Sequence, residues 1–489
     1  MCRSLEDGGR RCNHGSTYGK SVAALQARKQ YYTKQLEAGG LSREKRKTVN
    51  EKLKNTVNAM NSMRSEFNSF GAGKHFTMEL TEPTKKVLDQ LEQDGFKPFI
   101  VGGSVRDVLM GADNKDIDIE VYGGTPEAIA SSLRKIGNVD EVGKAFGVLK
   151  ITLQGEDFDV SLPRRDSKVG DGHRGFEIRV DPDLTLEEAT ERRDFTINAL
   201  MYSAKHEYII DKHGGLKDLE DKKLRHVSEA FDEDPLRVLR GVQMSSRFGM
   251  DLDESTVQKA KTLKNQFSDL AKERVQIEFQ KLYEKGKSSD KALKLLQETE
   301  WDENFPGLKE ANNEELRASV KRGQDLISSG DVASDRRAMF LSAIISSGIE
   351  DSEKRRNFLS YTTVGDDTKN MAMNLTTQKL PEIIDNKNIR TLAYGLPRGL
   401  TIRDISNIEK AKGHDEISER LFNEAQSAGV LDKYESDLVT GREVISLFPG
   451  RRPGPWVKDI LDKAREAQYS NTFNTSDSGI EWLKEQNFS

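Results

Sequence analysis

A glycine turn followed by alternating aspartates, within residues 98–121, constrains the fold of this chain more than any other feature. The apolar residues 98–101 immediately precede Gly102 and Gly103, and a predicted helix begins at these glycines. Glycines let backbone N–H groups approach phosphate oxygens, and a helix start favours an anion. Asp116 and Asp118 then alternate with apolar residues, so a strand would hold both carboxylates on one face. Together these motifs predict a phosphate and Mg²⁺ site; either motif alone favours an ordinary turn or strand edge.

A third carboxylate is predicted on a hairpin further along the chain. Residues 148–153 alternate between apolar and polar, and residues 158–162 continue as the partner strand after a Gln-Gly turn. Asp159 is the preferred candidate because it lies inside the strand, but Asp157 shares its face and stays open as the alternative. Three carboxylates on adjacent strands would suffice to hold two metal ions for phosphoryl transfer.

Residues 191–200 combine two arginines, an aspartate and an asparagine. Asp194 and Asn198 are four apart, so helical spacing would place them on one face. A carboxylate suits a ribose hydroxyl, and the Arg193 guanidinium suits a phosphate. A salt-bridged helix start explains the segment equally well when it is taken alone.

Residues 233–240 carry a second helix-start signal with possible chemistry. Asp234 is in the N-cap position and Pro235 is in the first helical position. Asp234 and Arg237 would project together, and a carboxylate beside a guanidinium can pair with the hydrogen-bonding edge of a base. Capping alone also accounts for Asp234.

The composition favours a cytoplasmic protein without membrane contact. Charged residues make up 32% of the 489 residues and hydrophobic residues 35%, and no apolar run reaches the ~18 residues of a membrane span. The only cysteines, Cys2 and Cys12, cannot form a disulfide framework for a chain of this size. With His14 they could bind a metal, although incidental thiols are the simpler interpretation.

The N-terminal 75 residues differ in charge from the rest of the chain. They hold 15 Lys and Arg against 6 Asp and Glu, whereas the whole chain has a net charge of −5. Residues 1–19 are expected to lack regular structure, and residues 21–67 predict a basic helical hairpin that turns at Gly39-Gly40, with Ser42 as the N-cap of its second helix. The hairpin would either add phosphate contacts to RNA or be an ordinary solvated helix pair. Beyond about residue 215 strand signals vanish, which predicts a long all-α region.

Several ordered motifs resemble the bacterial-type (class II) tRNA nucleotidyltransferase and poly(A) polymerase family. They read VGGSVRDVLMG, DIDIEVYG, ERRDFTINAL, DKHGGLKDLED, DEDPLRVLRGVQMSSRFG, AKERVQIE and, near the C-terminus, LVTGREVISLFPGRRPGPWV. The resemblance implies an α+β protein with a polymerase-beta-like nucleotidyltransferase head followed by all-α segments. The expected division is an N-terminal extension (1–75), a catalytic head (76–210), a base-selecting neck (211–285), a body (286–400) and a tRNA-binding tail (401–489).

The resemblance also implies roles for individual residues. Two Mg²⁺ ions would be held by Asp116, Asp118 and Asp159. The remaining implied residues would all bind the nucleotide: Gly102, Gly103 and Arg106 at the triphosphate, Arg193, Asp194 and Asn198 at sugar and phosphates, and Asp234, Arg237 and Arg240 in the base-selecting region.

Within this family, the sequence favours addition of CCA to tRNA from CTP and ATP. Family poly(A) polymerases tend to carry glycine, two basic residues and phenylalanine after the Asp-x-Asp strand, whereas residues 143–146 read GKAF. Residues 164–176 fit the flexible basic loop of members that add the terminal A. The single His-Asp pair at His414 argues against an appended phosphohydrolase domain. Poly(A) or A-only addition and a non-catalytic tRNA-binding protein are the alternatives, and the sequence does not define the oligomeric state.

Overall fold

The computed structural model describes residues 2–4, 10–12, 17–112, 117–140, 147–168 and 176–486. They form two compact units, the first comprising Met1–Arg237 and Asp251–Lys259 and the second Val238–Met250 and Ala260–Ser489. The first unit contains a mixed sheet with flanking helices, and the second is almost entirely helical. The predicted α+β class is confirmed.

The strands are short, and most belong to one sheet. They are β1 (Cys2–Ser4), β2 (Arg10–Cys12), β3 (Gly73–His75), β4 (Lys97–Val101), β5 (Asp118–Tyr122), β6 (Asn138–Asp140), β7 (Val148–Leu153), β8 (Glu156–Ser161), β9 (Arg164–Lys168), β10 (Phe176–Val180), β11 (Met201–Ser203), β12 (Tyr208–Ile210), β13 (Lys223–Leu224) and β14 (Asp251–Leu252). Within the described residues, eight strands pair in the order β3-β12-β11-β4-β5-β8-β7-β6. Only β5 and β8 are parallel neighbours in that sheet; its other pairs are antiparallel.

Helices supply the rest of both units. They are α1 (Thr17–Glu37), α2 (Arg43–Phe70), α3 (Glu82–Gln93), α4 (Gly103–Leu109), α5 (Pro126–Leu133), α6 (Leu186–Glu191), α7 (Gly215–Glu220), α8 (Leu236–Phe248), α9 (Glu254–Leu263), α10 (Lys272–Lys285), α11 (Ser289–Glu298), α12 (Leu308–Ala311), α13 (Glu314–Ser329), α14 (Arg337–Ser347), α15 (Ser352–Thr362), α16 (Asp366–Thr377), α17 (Asn386–Gly395), α18 (Ile402–Lys412), α19 (Asp415–Ser427), α20 (Gly441–Leu447), α21 (Pro455–Tyr469) and α22 (Ser476–Glu485). Among the described residues, no helix combines the length and apolar character that crossing a bilayer requires.

Alternation along the central strands builds two cores, one on each face of the sheet. On β5, Ile119 and Val121 enter a core with Leu88 of α3 and Ile129 of α5. The opposite face of β5 carries Asp118, Glu120 and Tyr122, and Tyr122 joins a second core with Phe99 and Phe70. Because side chains alternate between faces, burying one side of β5 directs its carboxylates to the other.

Three local predictions were wrong in detail. Residues 2–4 and 10–12 form the antiparallel pair β1–β2, where no regular structure was expected. Part of the predicted flexible loop 164–176 forms β9, which pairs with β10, and residues 169–175 lie outside the described residues. The strands β13 and β14 pair in parallel beyond residue 215. Strands β1, β2, β9, β13 and β14 are short and mostly polar, so pairing rather than hydrophobic alternation defines them.

The helical hairpin of α1 and α2 is anchored in the sheet of the first unit. Ser42 caps α2 by accepting a hydrogen bond from Lys45 N, as the sequence predicted. At the other end of α2, Phe70 is 1% exposed and contacts the rings of Phe99 and Tyr208. The chain then continues directly into β3, which pairs with β12. The predicted boundary at residue 75 therefore follows an edge strand of the sheet, and the five-part division stays a prediction.

Truncating Phe70 is expected to destabilise the first unit. Phe70→Ala removes a fully buried ring, so we expect the free energy of unfolding to fall by about 3–5 kcal/mol. Amide hydrogen exchange in β12 would report the loss locally. Tyr31→Ala on α1 is the control because Tyr31 is 58% exposed, and we expect a change of about 0.5 kcal/mol or less. Equal effects of both substitutions would contradict the anchoring role.

Candidate active site

Two of the three predicted carboxylates lie side by side on parallel strands. Asp118 of β5 is directly opposite Asp159 of β8, and parallel neighbours lie about 4.8 Å apart. Ser161 reinforces the pair by donating a hydrogen bond to Ile119 O at 3.2 Å. Asp116, the third, lies outside the described residues. Among the residues that are described, no group of three His, Cys, Asp or Glu is arranged to hold a metal. The described part of the site therefore offers two adjacent carboxylates.

The register distinguishes Asp159 from its rival Asp157. Asp157 is opposite Thr152 and accepts a hydrogen bond from its hydroxyl at 2.6 Å. Asp159 is half exposed, and among the described residues its carboxylate forms an ion pair with Lys150 at 3.3 Å, whose side chain is itself 66% exposed. An exposed ion pair of this kind is weak, so a cation of higher charge could displace Lys150. Direct pairing with Asp118 favours Asp159 as the metal ligand.

The glycine turn brings two guanidinium groups close to the backbone. Gly102 has φ +73°, a conformation that favours glycine, and it precedes the first residue of α4. A Cβ at Gly102 would lie 3.2 Å from Arg193 Nη1, and one at Gly103 would lie 3.3 Å from Arg106 Nη2. Ser104 ties the turn to β5, because its hydroxyl accepts from Asp118 N at 3.4 Å. The turn thus brings two guanidinium groups together, and Arg106 is paired with Asp107 at 2.6 Å.

A hydrogen-bonded chain fixes three of the predicted nucleotide-binding residues. Arg106 is 6% exposed, and its Nη1 donates to Asn198 Oδ1. Asn198 Nδ2 donates to Asp194 Oδ1 at 2.9 Å, and Phe195 N donates to the same oxygen at 2.7 Å. The predicted helical spacing was wrong, because Asn198 ends a 3₁₀ turn over Thr196–Asn198. The tighter turn still brings Asp194 and Asn198 together.

Glu120 is a residue of this site to which the sequence analysis gave no role. It is fully buried on β5, and Arg193 Nη2 donates to Glu120 Oε2 at 3.2 Å, with Arg192 Nη2 at 3.6 Å. The Tyr122 hydroxyl donates to Glu120 Oε1. Burial, and then the negative charge of Glu120, raise the pKa of Tyr122 well above its usual value, so this hydroxyl stays a donor. The strand period could have identified Glu120, since it continues the alternation of Asp116 and Asp118.

Removing the charge of Glu120 is expected to weaken nucleotide binding. If Arg193 binds the nucleotide as predicted, Glu120 would position it, because Glu120 accepts a hydrogen bond from that guanidinium. A hydrogen bond to a charged group contributes about 1.5–3 kcal/mol, so we expect Glu120→Gln to raise KM about tenfold, equally for CTP and ATP. Steady-state kinetics with Tyr122→Phe as the milder control would check this, since that variant keeps the carboxylate. An unchanged KM, or a change in one nucleotide only, would contradict the positioning role.

Asp234 and Arg237 lie at the start of α8. The Asp234 carboxylate accepts from Leu236 N at 3.2 Å, which agrees with the predicted cap. Arg237 donates to Ala230 O at 2.6 Å and to Arg192 O at 2.7 Å, so the guanidinium is held against the segment that carries Arg193. Arg240 is half-buried one turn further along α8 and belongs to the second unit.

Comparison with known proteins connects this geometry to a family. Residues 98–225 match the poly A polymerase head domain, and residues 249–312 match a probable RNA and SrmB-binding site of polymerase A. The CCA-adding enzyme of Oceanobacillus iheyensis is 30% identical over 393 residues, which cover 78% of this chain and 92% of that enzyme. The chain belongs to the tRNA nucleotidyltransferase and poly(A) polymerase family. The predicted family is therefore confirmed, and this chain is a nucleotidyltransferase.

Two further relatives show how far the similarity extends. The multifunctional CCA protein of Xylella fastidiosa is 44% identical over 151 residues, which cover 31% of this nucleotidyltransferase and 35% of that protein. The solved structure of the Bacillus stearothermophilus CCA-adding enzyme in complex with CTP has a TM-score of 0.62 and 25% identity. It covers 83% of this chain and 98% of its own. Both the head and the helical region thus have counterparts in CCA-adding enzymes.

Proposed function

We propose that this nucleotidyltransferase adds CCA to the 3′ ends of tRNA, using CTP and ATP without a nucleic-acid template. The observation that carries the proposal is the match to a CCA-adding enzyme over 92% of that enzyme's length. The likeness to a CTP-bound CCA-adding enzyme over most of both chains supports the same activity. Neither comparison favours a poly(A) polymerase, an A-only enzyme or a non-catalytic tRNA-binding protein.

Asp118 and Asp159, together with Asp116, are the proposed Mg²⁺ ligands. Adjacent carboxylates on two strands match the preference of Mg²⁺ for hard oxygen donors, which supports this assignment. Two Mg²⁺ ions, when bound, would lower the pKa of the tRNA 3′-hydroxyl and offset charge on the triphosphate. The hydroxyl loses its proton to water as its oxygen forms a bond to the α-phosphorus, the bond from that phosphorus to the bridging oxygen breaks, and pyrophosphate leaves.

The positive groups around the glycine turn are the proposed triphosphate site. Arg106 and Arg193 converge on Gly102 and Gly103, where small residues permit close approach of phosphate oxygens. Asn198 orients Arg106 through their direct hydrogen bond, and Asp194 orients Asn198. These contacts would keep the nucleotide aligned for in-line attack, which is the main contribution a protein makes to this reaction.

Base selection is assigned to Asp234 and Arg237, with Arg240 on the same helix. A carboxylate can accept from the exocyclic amine that cytosine and adenine share, and a guanidinium can donate to ring nitrogen or carbonyl acceptors. The two hydrogen bonds from Arg237 to backbone carbonyls give its guanidinium a fixed orientation, which selective pairing requires.

The sequence prediction of a cytoplasmic location remains a prediction.

Single-nucleotide reactions test this proposal. A tRNA transcript that lacks CCA should accept cytidylate but not adenylate, and a transcript ending in CC should accept adenylate. EDTA should stop both reactions and excess Mg²⁺ should restore them. Efficient transfer of adenylate to the transcript lacking CCA would instead indicate a poly(A) or A-only enzyme.

A further inference from the structure

We infer that the α1–α2 hairpin is an RNA-binding arm, and that a row of cations on α2, formed by Arg43, Lys47 and Lys54, contacts the phosphate backbone of tRNA. This inference rests on the proposed function, because it takes tRNA as the polyanion that reaches this unit. The matched head model begins at residue 98, so the arm lies before it.

The arm is a defined structural element rather than a flexible tail. The α2 helix has 28 residues and is therefore about 42 Å long. Its C-terminal end is fixed by the buried ring of Phe70, and Lys212 Nζ donates to Ser69 O at 2.8 Å. Asp211 N also donates to Ala72 O at 2.9 Å. A stiff helix fixed to the sheet that carries Asp118 can present charges at defined positions.

The arm is rich in cations that have no acidic partner. Residues 24–63, whose side chains the structure describes, contain nine Lys and Arg but only three Glu. No ion pair involves any of these nine within the part of the chain that the structure describes. By contrast, Lys259 in the same unit contacts both Glu229 and Asp232. Unpaired cations on a fixed helix are suited to binding phosphates, which release counterions when they are neutralised.

Helical geometry sorts these cations by face. Arg43, Lys47 and Lys54 are spaced i, i+4 and i+11, so they lie along one line of α2, and all three are exposed. Lys45 and Lys52 lie on a different face, roughly opposite that line. The row of three spans about 16 Å along the helix, enough to contact several phosphates of one RNA strand.

The apolar residues of the arm argue against a membrane surface. The apolar face of α2 consists of four residues, each partly buried: Val49, Leu53, Val57 and Met60. Among the described residues of the arm, Tyr31 is the one large hydrophobic side chain that is strongly exposed. An interfacial helix needs a continuous exposed apolar face, which this part of the arm does not offer. A lone tyrosine among cations is compatible with RNA, since aromatic rings stack on bases.

The test uses point substitutions in the full chain, because deleting residues 1–75 would also remove Phe70 and β3. Lys47→Gln/Lys54→Gln is compared with Lys45→Gln/Lys52→Gln, which has the same chemistry and the same seven-residue spacing. Dissociation constants for tRNA would be measured across a range of salt concentrations. We expect the first pair to weaken binding about tenfold and to reduce the salt slope by about 2, and the second pair to change binding less than about twofold.

Two results would overturn the inference. Equal losses from both pairs would mean non-directional attraction to a charged helix rather than contact by this row. A second contradicting result is that both variants bind tRNA as wild type does but no longer bind vesicles of anionic phospholipid, to which wild type binds. That result would identify a membrane surface instead. Failure of the proposed function would be distinct: the wild-type protein would then add no nucleotide, whatever the arm variants bind. The control variant Lys45→Gln/Lys52→Gln should add nucleotides as wild type does.

Discussion

Asp118→Asn is expected to reduce nucleotide addition by about 10³-fold or more while leaving tRNA binding intact. The variant keeps the size of the side chain but removes one charged oxygen donor from the pair that β5 and β8 form. Metal-assisted charge stabilisation contributes several kcal/mol to such reactions, and each 1.4 kcal/mol corresponds to a tenfold change in rate. Single-turnover rates at saturating tRNA and CTP would measure this effect directly.

Asp157→Asn is the matched control for this experiment. Asp157 lies on the same strand and face as Asp159, but its carboxylate accepts from Thr152. We expect its rate to stay within a few-fold of wild type, whereas Asp159→Asn should resemble Asp118→Asn. A large loss from Asp157→Asn with little loss from Asp159→Asn would reverse the assignment of the third carboxylate.

Arg237→Ala is expected to impair the choice between CTP and ATP more than the overall rate of transfer. A good guanidinium pairing discriminates between bases by about 1–3 kcal/mol, so the preference for the correct nucleotide should fall roughly 10- to 100-fold. The measurement is the ratio of kcat/KM for CTP to that for ATP on a transcript lacking CCA. Arg237→Lys keeps the charge but not the planar pairing edge, so it should also lose selectivity.

Stability needs a separate check in this experiment, because Arg237 also holds two backbone carbonyls. A selectivity ratio is insensitive to the fraction of folded enzyme, so it separates base recognition from unfolding. Arg237→Ala with an unchanged ratio and a uniformly lower rate would assign Arg237 to the structure of the α8 start and not to the base.

The site could be predicted from the sequence where local geometry controls it. Apolar-polar alternation correctly predicted the β7–β8 hairpin that carries Asp159, and the glycine pair correctly predicted a turn before a helix. Both features depend on backbone conformation within a few residues. The Ser42 cap is predictable for the same reason.

Long-range contacts could not be predicted in this way. Glu120 meets Arg193 across 73 positions, and no local pattern specifies that contact. Arg106 reaches Asn198 across 92 positions through a turn that the sequence presented as a helix. The edge strand β3 is only three residues long, and all three are exposed. It is therefore defined by its pairing with β12 and not by its own composition. The side-chain contacts of the site therefore depend on tertiary packing, whereas its strands, turn and cap depend on local sequence.

The most direct test of the central proposal is the length of the product. A tRNA transcript that ends before CCA is incubated with the full-length protein, Mg²⁺, CTP and ATP, and the products are separated on a sequencing gel. The account predicts growth by three nucleotides, with the sequence CCA, followed by a stop. A continuing ladder of adenylates, or no growth of the transcript, would contradict it.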